Sequence, residues 1–254
     1  LQVGANQVTS LAPLASLDRL RYLYASDNQV TSVSSIQNLT DLETLELNDN
    51  LVADASGLAN LAKLENVYMD RNRLTSLTGF ENLSDLERLS LHDNDFSGED
   101  DLSKLASLTN LTYLGLNDCD VESLVGIVNL TSLEHLAVNG ARLRGTGALE
   151  PLRDMSRLTN LEAYNARVQD VTGLEGCSDL EYLNLGENDI DSLAVLNGEL
   201  DRLRELWIQN NDLESFAGLE GSSKLELVYA GDNDLQDISA LNDASKLVYL
   251  YLWE

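Results

Sequence analysis

The chain has 254 residues, and its 16 Lys plus Arg against 43 Asp plus Glu give a formal net charge of −27. That balance repels nucleic acid phosphates and anionic membranes, so neither is expected as a partner. With two Pro, two Cys, no apolar run near the length of a bilayer span and no charged-then-apolar leader, the sequence gives no sign of direct membrane insertion, a secretory leader or a disulfide framework.

A repeat organises the whole chain. The pattern L-x-x-L-x-L-x-x-N-x-L begins full units at Leu20, Leu42, Leu64, Leu86, Leu111, Leu133, Leu158, Leu180, Leu203 and Leu225, with partial units at both ends. Successive spacings are 22, 22, 22, 25, 22, 25, 22, 23 and 22 residues, and no composition break interrupts them. The expectation is a single domain over 1–254: ten full repeats, a partial repeat at each end, and no native caps.

Counting from the first Leu of a unit, the strand segment buries positions four and six and leaves three, five and seven facing out. The Asn at position nine occurs as Asn28, Asn50, Asn72 and Asn94 in the first four units and as Asn188, Asn211 and Asn233 in the last three. It is read as pointing inward, where it satisfies turn backbone that would otherwise be buried unpaired. The return path then buries positions 11, 14, 17 and 20, as in Leu74, Leu77, Phe80 and Leu83, through irregular or 3₁₀ segments. A small residue often precedes position 17, as Gly57, Gly79, Gly126, Gly173 and Gly218 do.

The fourth unit contains HDNDFSGEDDLSK, from His92 to Lys104, which imitates a calcium-binding hand counted from Asp93. Its last position fails, because Lys104 stands where a bidentate carboxylate should close the cage. In the repeat, Asn94 is the inward Asn and Phe96 a core residue, so wrapping an ion would pull both out of the core. Gly98 reads as a bulge within the three extra residues of a 25-residue unit. The alternative is a surface calcium site made by Asp93, Asp95, Glu99 and Asp101.

In the next three units Cys119, Ala141 and Ala166 replace the inward Asn, which predicts that the middle of the chain is its loosest part. Turn amides there must find water or nearby backbone. Cys119 and Cys177 both fall at interior positions, two repeats apart, and are read as unbonded core residues. His92 at position seven and His135 at position three lie on strands whose geometry sets them roughly 16 Å apart, too far to share a metal. The N-L-[ST] triplets at Asn38, Asn82, Asn110 and Asn129 follow from the polar-Leu-polar junction between units. No phosphate loop, carboxylate pair or triad emerges, so no enzyme activity, cofactor or metal is expected.

The aromatic residues are sorted. All nine Tyr and both Trp sit at positions three, five or seven: Tyr22, Tyr24, Tyr68, Tyr113, Tyr164, Tyr182, Trp207, Tyr229, Tyr249, Tyr251 and Trp253. Phe80, Phe96 and Phe216 sit at core positions instead. Trp207, Tyr229 and Tyr251 occupy position five of consecutive strands, and this column is the expected anchor for a partner, because amphipathic aromatics dominate protein interfaces. His135, Arg88, Glu46, Glu162 and Glu205 are expected to add charge selectivity around it.

The sequence resembles leucine-rich repeat proteins of the short 22-residue class, typified by bacterial internalins and also by phosphatase regulatory subunits, over essentially its whole length. The resemblance implies an α/β-type solenoid. This is a curved horseshoe with a parallel sheet on the concave face and irregular or 3₁₀ segments on the convex face, used to bind other proteins without catalysis. In the internalin case it also implies an extracellular or cell-surface location in bacteria. Two other functions remain open: a carbohydrate-binding adhesin that stacks sugars on Tyr and Trp, and an intracellular scaffold of the phosphatase-regulator type. The terminal LVYLYLWE reads as a strand with Leu247, Leu250 and Leu252 inward and Tyr249, Tyr251 and Trp253 outward. It predicts flanking sequence or end-to-end self-association.

Overall fold

The computed structural model describes residues 1–98 and 102–253. They form two compact units, one of Leu1–Val121 with Val125–Leu130, the other of Glu122–Leu124 with Thr131–Glu254. The first unit contains β1 (Tyr22–Tyr24), β2 (Thr44–Glu46), β3 (Asn66–Tyr68), β4 (Arg88–Ser90) and β5 (Tyr113–Gly115). The second contains β6 (His135–Ala137), β7 (Asn160–Glu162), β8 (Tyr182–Asn184), β9 (Glu205–Trp207), β10 (Leu227–Tyr229) and β11 (Tyr249–Tyr251). Within each unit the strands pair in parallel and in chain order. Register matches repeat position to repeat position, as in Leu23↔Leu45 and Leu45↔Val67, or Leu206↔Val228 and Val228↔Leu250. This is the leucine-rich repeat solenoid that the spacing predicts.

Each strand is three residues long, covering positions three to five, shorter than the apolar alternation suggests. The reason lies at position eight, which is left-handed in every full unit. Asp27, Asp49, Arg71, Asp93 and Asp118 of the first unit and Asn165, Glu187, Asn210 and Asp232 of the second have φ between 50° and 60°, and Gly140 has 69°. Asp, Asn and Gly tolerate this conformation best, which accounts for their prevalence there. The kink ends the strand while hydrogen bonding to the next repeat continues through it: Leu47 N–H donates to Tyr68 O at 2.8 Å and Asp49 N–H to Asp70 O at 2.9 Å.

The same kink swings position nine inward. Asn50, 5% exposed, accepts from Val30 N–H of the preceding repeat at 2.9 Å and donates through Nδ2 to Ala25 O, Leu47 O and Asn48 O at 3.0–3.1 Å. Asn28, Asn72, Asn94, Asn188, Asn211 and Asn233 repeat this arrangement. Where the Asn is missing, the backbone substitutes. In the first unit Phe96 N–H turns to the main-chain O of Cys119 at 3.0 Å, and the Cys119 thiol donates to Leu91 O at 3.0 Å and Asn117 O at 3.3 Å. In the second, Leu143 N–H turns to Ala166 O at 3.1 Å.

Behind the strands the core is apolar, with Phe80, Phe96 and Phe216 at most 1% exposed. Three-residue 3₁₀ helices such as Ser34–Ile36, Ser56–Leu58 and Ala194–Leu196 carry much of the return path. There, successive repeats approach so closely that a Cβ on Gly79 would lie 2.2 Å from Ala55 O, and one on Gly218 2.0 Å from Leu193 O. Both glycines also have φ near +106° to +109°, so no other residue fits either requirement. In the last repeat the inward Leu250 and Leu252 are 38% and 37% exposed.

Two outcomes follow from the ladder. Replacing Asn50 with Ala leaves Val30 N–H and three carbonyls short of a partner, and urea unfolding should show a loss of about 2–3 kcal/mol; a loss below about 1 kcal/mol would mean that the turn re-pairs without it. Cys119 and Cys177 are buried, and burial pushes both thiols up to about 12. A disulfide reagent at pH 8 should therefore label neither in the folded chain and both in denaturant.

Candidate recognition face

Positions three, five and seven form the open face of the sheet in each unit. In the first unit part of that face is used by the fold. Position seven carries Ser26, Asn48, Asp70, His92 and Asn117, and each of the first four side chains accepts the backbone N–H of the next: Asn48 N–H to Ser26 Oγ at 3.1 Å, Asp70 N–H to Asn48 Oδ1 at 2.8 Å, His92 N–H to Asp70 Oδ1 at 3.0 Å and Asn117 N–H to His92 Nδ1 at 2.9 Å. This second ladder was not evident from the sequence. Its only signal is a polar acceptor, of changing residue type, once per repeat. Because Nδ1 accepts, the neutral His92 ring carries its proton on Nε2, which donates to Tyr113 Oη at 3.1 Å. Gly115 leaves room for this contact, since a Cβ there would lie 2.5 Å from Nε2.

The calcium-like loop follows the repeat. Asp93 occupies the left-handed position, Asn94 and Phe96 are buried as the ladder and core residues, and Lys104 Nζ donates to Ser76 Oγ at 3.4 Å. Glu99 and Asp101 lie outside the described residues. Asp93, Asp95, Asp118 and Asp120 line an acidic cleft with Asn72, Arg73, Thr75 and Asn94. Among the described residues no three His, Cys, Asp or Glu are arranged to hold a metal ion.

Of the remaining candidates in this unit, Tyr22 is 42% exposed, Arg88 is exposed, and Tyr24, Tyr68 and Tyr113 are half-buried on their own strands. Arg21 grips Glu43 with two bonds of 2.6 Å and lies 5.3 Å from the centroid of the Tyr22 ring. The guanidinium holds the Glu43 carboxyl below its ordinary range, and Glu43 in turn pushes the Tyr22 hydroxyl up.

The second unit brings its aromatics together. Trp207 and Tyr229 stack with centroids 5.1 Å apart and planes 22° apart, and Tyr251 continues the column 5.4 Å from Tyr229. Trp253 stands edge-on to both Tyr229 and Tyr251 at 5.0 Å, and Tyr249 stacks on Tyr251 at 6.3 Å and 6°. Parallel pairing causes this, because it sets Trp207, Tyr229 and Tyr251 opposite one another on adjacent strands. The column is therefore not fully exposed: Trp207, Tyr229 and Tyr251 are half-buried by one another, while Tyr249 and Trp253 are 53% and 49% exposed. Trp207 Nε1 and Gln209 Oε1, two residues apart on β9 and its extension, are shielded and have no hydrogen-bond partner among the described residues.

Elsewhere in this unit Glu162 accepts from Asn139 Nδ2 at 2.8 Å and lies 3.2 Å from His135 Nε2, while the Tyr164 hydroxyl donates to Glu187. Tyr182 is half-buried, and that burial raises its hydroxyl above the ordinary value.

A family model described as leucine rich repeats (2 copies) matches residues 18–60. No curated protein matches the chain. Among solved structures, an internalin from Listeria monocytogenes is 30% identical, with a TM-score of 0.77 over 98% of this chain and 78% of that one. The functional domain of a second Listeria monocytogenes internalin, described as including a cysteine ladder, is 20% identical with a TM-score of 0.75, over 98% of this chain and 57% of that one. A chain of an octameric complex of Latrophilin 3, Unc5D and FLRT2, in which FLRT2 supplies the leucine-rich repeats, is 22% identical with a TM-score of 0.76, over 99% and 82%. Identity of 30% over 98% of this chain and 78% of the internalin places this chain in the leucine-rich repeat family, among the internalin-like proteins.

Proposed function

We propose that this chain is a non-catalytic recognition module that binds a protein partner through its concave, aromatic-bearing sheet face. The observation that carries the reading is the packed cluster of Trp207, Tyr229, Tyr249, Tyr251 and Trp253 on the open face of the second unit. Large amphipathic side chains fixed by their neighbours are the groups that dominate interface energetics. Likeness to an internalin and to a chain of a multi-protein assembly supports a protein as ligand, and the internalin likeness supports an extracellular or bacterial cell-surface setting. No described helix is long and apolar enough to cross a membrane.

Ring geometry favours protein over carbohydrate. A sugar stacks on an open ring face, whereas Trp207 covers Tyr229 and Tyr251 covers Tyr249. With those faces taken up by neighbouring rings, the amphipathic aromatics suit contact with a protein surface better than stacking with a sugar. A glycan array is the direct check: binding of free oligosaccharides that disappears in Trp207→Ala would support the adhesin reading instead.

The double variant Trp207→Ala/Tyr229→Ala should weaken partner binding by roughly 30-fold for each ring removed. Because the two rings stack, it should also lower unfolding stability by about 1 kcal/mol beyond the area lost, visible in urea titrations. Full affinity in a folded double variant would place the binding surface elsewhere on the chain.

A further inference from the structure

Resting on the recognition reading above, we propose that the partner meets the second unit's aromatic cluster with arginine or lysine side chains carried on an extended polypeptide segment. Two carboxylates frame the cluster. Glu205 lies two residues before Trp207 on β9, and Asp232 lies three after Tyr229; both are exposed, and among the described residues neither has a cation within ion-pair range. The cation at position two of these strands is Arg204, and it is already held between Glu181 at 3.2 Å and Glu226 at 3.1 Å. The charge this face leaves unpaired is therefore negative.

The first unit contains the completed form of the same arrangement. There Arg21 lies over the Tyr22 ring at 5.3 Å while its Nε and one terminal nitrogen grip Glu43. A planar guanidinium can satisfy an aromatic ring and a carboxylate at once, which an ammonium does less well. On β9 and β10 the ring and the carboxylates are present and the cation is missing.

Two further atoms indicate what carries that cation. Trp207 Nε1 is a donor and Gln209 Oε1 an acceptor, both without partners among the described residues. A peptide backbone supplies the complementary carbonyl and amide in one unit. Both atoms are shielded in the free chain, so pairing them requires the Trp207 ring to turn within its stack as the segment arrives. The cost of leaving them unpaired favours that turn.

The test is selection of a displayed random peptide library on the intact chain at about physiological salt, where diffuse surface attraction is screened beyond roughly 8 Å. Enriched peptides should carry Arg or Lys, and Glu205→Gln/Asp232→Asn should weaken them tenfold or more. The control Glu65→Gln/Glu87→Gln removes the same charge from position two of the third and fourth repeats and should change binding less than twofold. Equal losses in the two pairs would overturn the proposal, because they would show that the net charge of −27 acts as a whole. Enrichment of neutral or acidic peptides that still depend on Trp207 and Tyr229 would overturn the cationic partner and leave the recognition reading standing. If no enriched peptide depends on the cluster, an extended segment is ruled out, and the recognition reading is then judged by the ring variants against a folded partner.

Discussion

Each repeat must turn its chain sharply at the end of a strand while the backbone of that turn faces the core. Buried amides and carbonyls there cost about 1–3 kcal/mol each if unpaired, a sum over ten turns that no domain of this size could bear. One carboxamide per repeat removes the cost, because Asn presents an acceptor and two donors at the point where three carbonyls and one amide converge. The left-handed residue before it is what aims it inward. Strand length, repeat length and the run of Asp before the ladder all follow from that requirement. The substitutes obey it too: Cys119 keeps the donor with a thiol that burial holds protonated, and the main-chain oxygens of Cys119 and Ala166 take over as acceptors.

Sequence periodicity revealed this inner ladder and the core because both depend on one residue type recurring at one position. Asn94 and Phe96, both buried, keep their loop from wrapping an ion as a calcium-binding hand does: a local match in spacing loses to residues the core needs. The position-seven ladder was hidden because Ser, Asn, Asp and His all accept a hydrogen bond, so the chemistry repeats while the letter does not. The half-burial of Trp207 and Tyr229 was hidden differently. A strand pattern says which way a ring points, but its shielding depends on the rings opposite it across the sheet. The column was visible, and its mutual packing was not.

These two ladders also divide the labour of the open face. Where position seven is Ser26, Asn48, Asp70 and His92, the side chains are tied to backbone amides and have little freedom to meet a partner. In the second unit the relay runs from Asn139 to Tyr164 N–H, and then Gly186, Gln209, Gly231 and Trp253 follow at that position. Gly186 N–H turns instead to Asn184 Oδ1 at 3.2 Å, within its own repeat. Glycine there leaves space: a Cβ on Gly231 would stand 2.6 Å from the main-chain O of Trp253, and one on Gly186 2.5 Å from the Gln209 amide. The aromatic cluster occupies the part of the face from which the structural hydrogen bonds have been withdrawn.

On the proposed recognition reading, packing the rings beforehand changes what binding would cost. A free Trp or Tyr must surrender rotamer freedom when an interface forms, on the order of 0.5–1.5 kcal/mol per side chain. Stacked across adjacent strands of a parallel sheet, Tyr229 and Tyr251 have surrendered it already on folding, and Trp207 keeps only the turn within its stack that brings Nε1 to a partner. Charge works in the same direction. Several of the chain's few cations are paired one repeat apart, as in Lys63 with Asp41, Arg71 with Asp49 and Arg202 with Asp179, where they offset self-repulsion within an acidic solenoid. Such exposed pairs add little stability individually. Their consequence is distributive: cations committed between repeats cannot neutralise Glu205 and Asp232 beside the rings. An ordered apolar surface then stands next to carboxylates with no cation among the described residues, and a partner of the proposed positive charge would be drawn by their field before any contact is made.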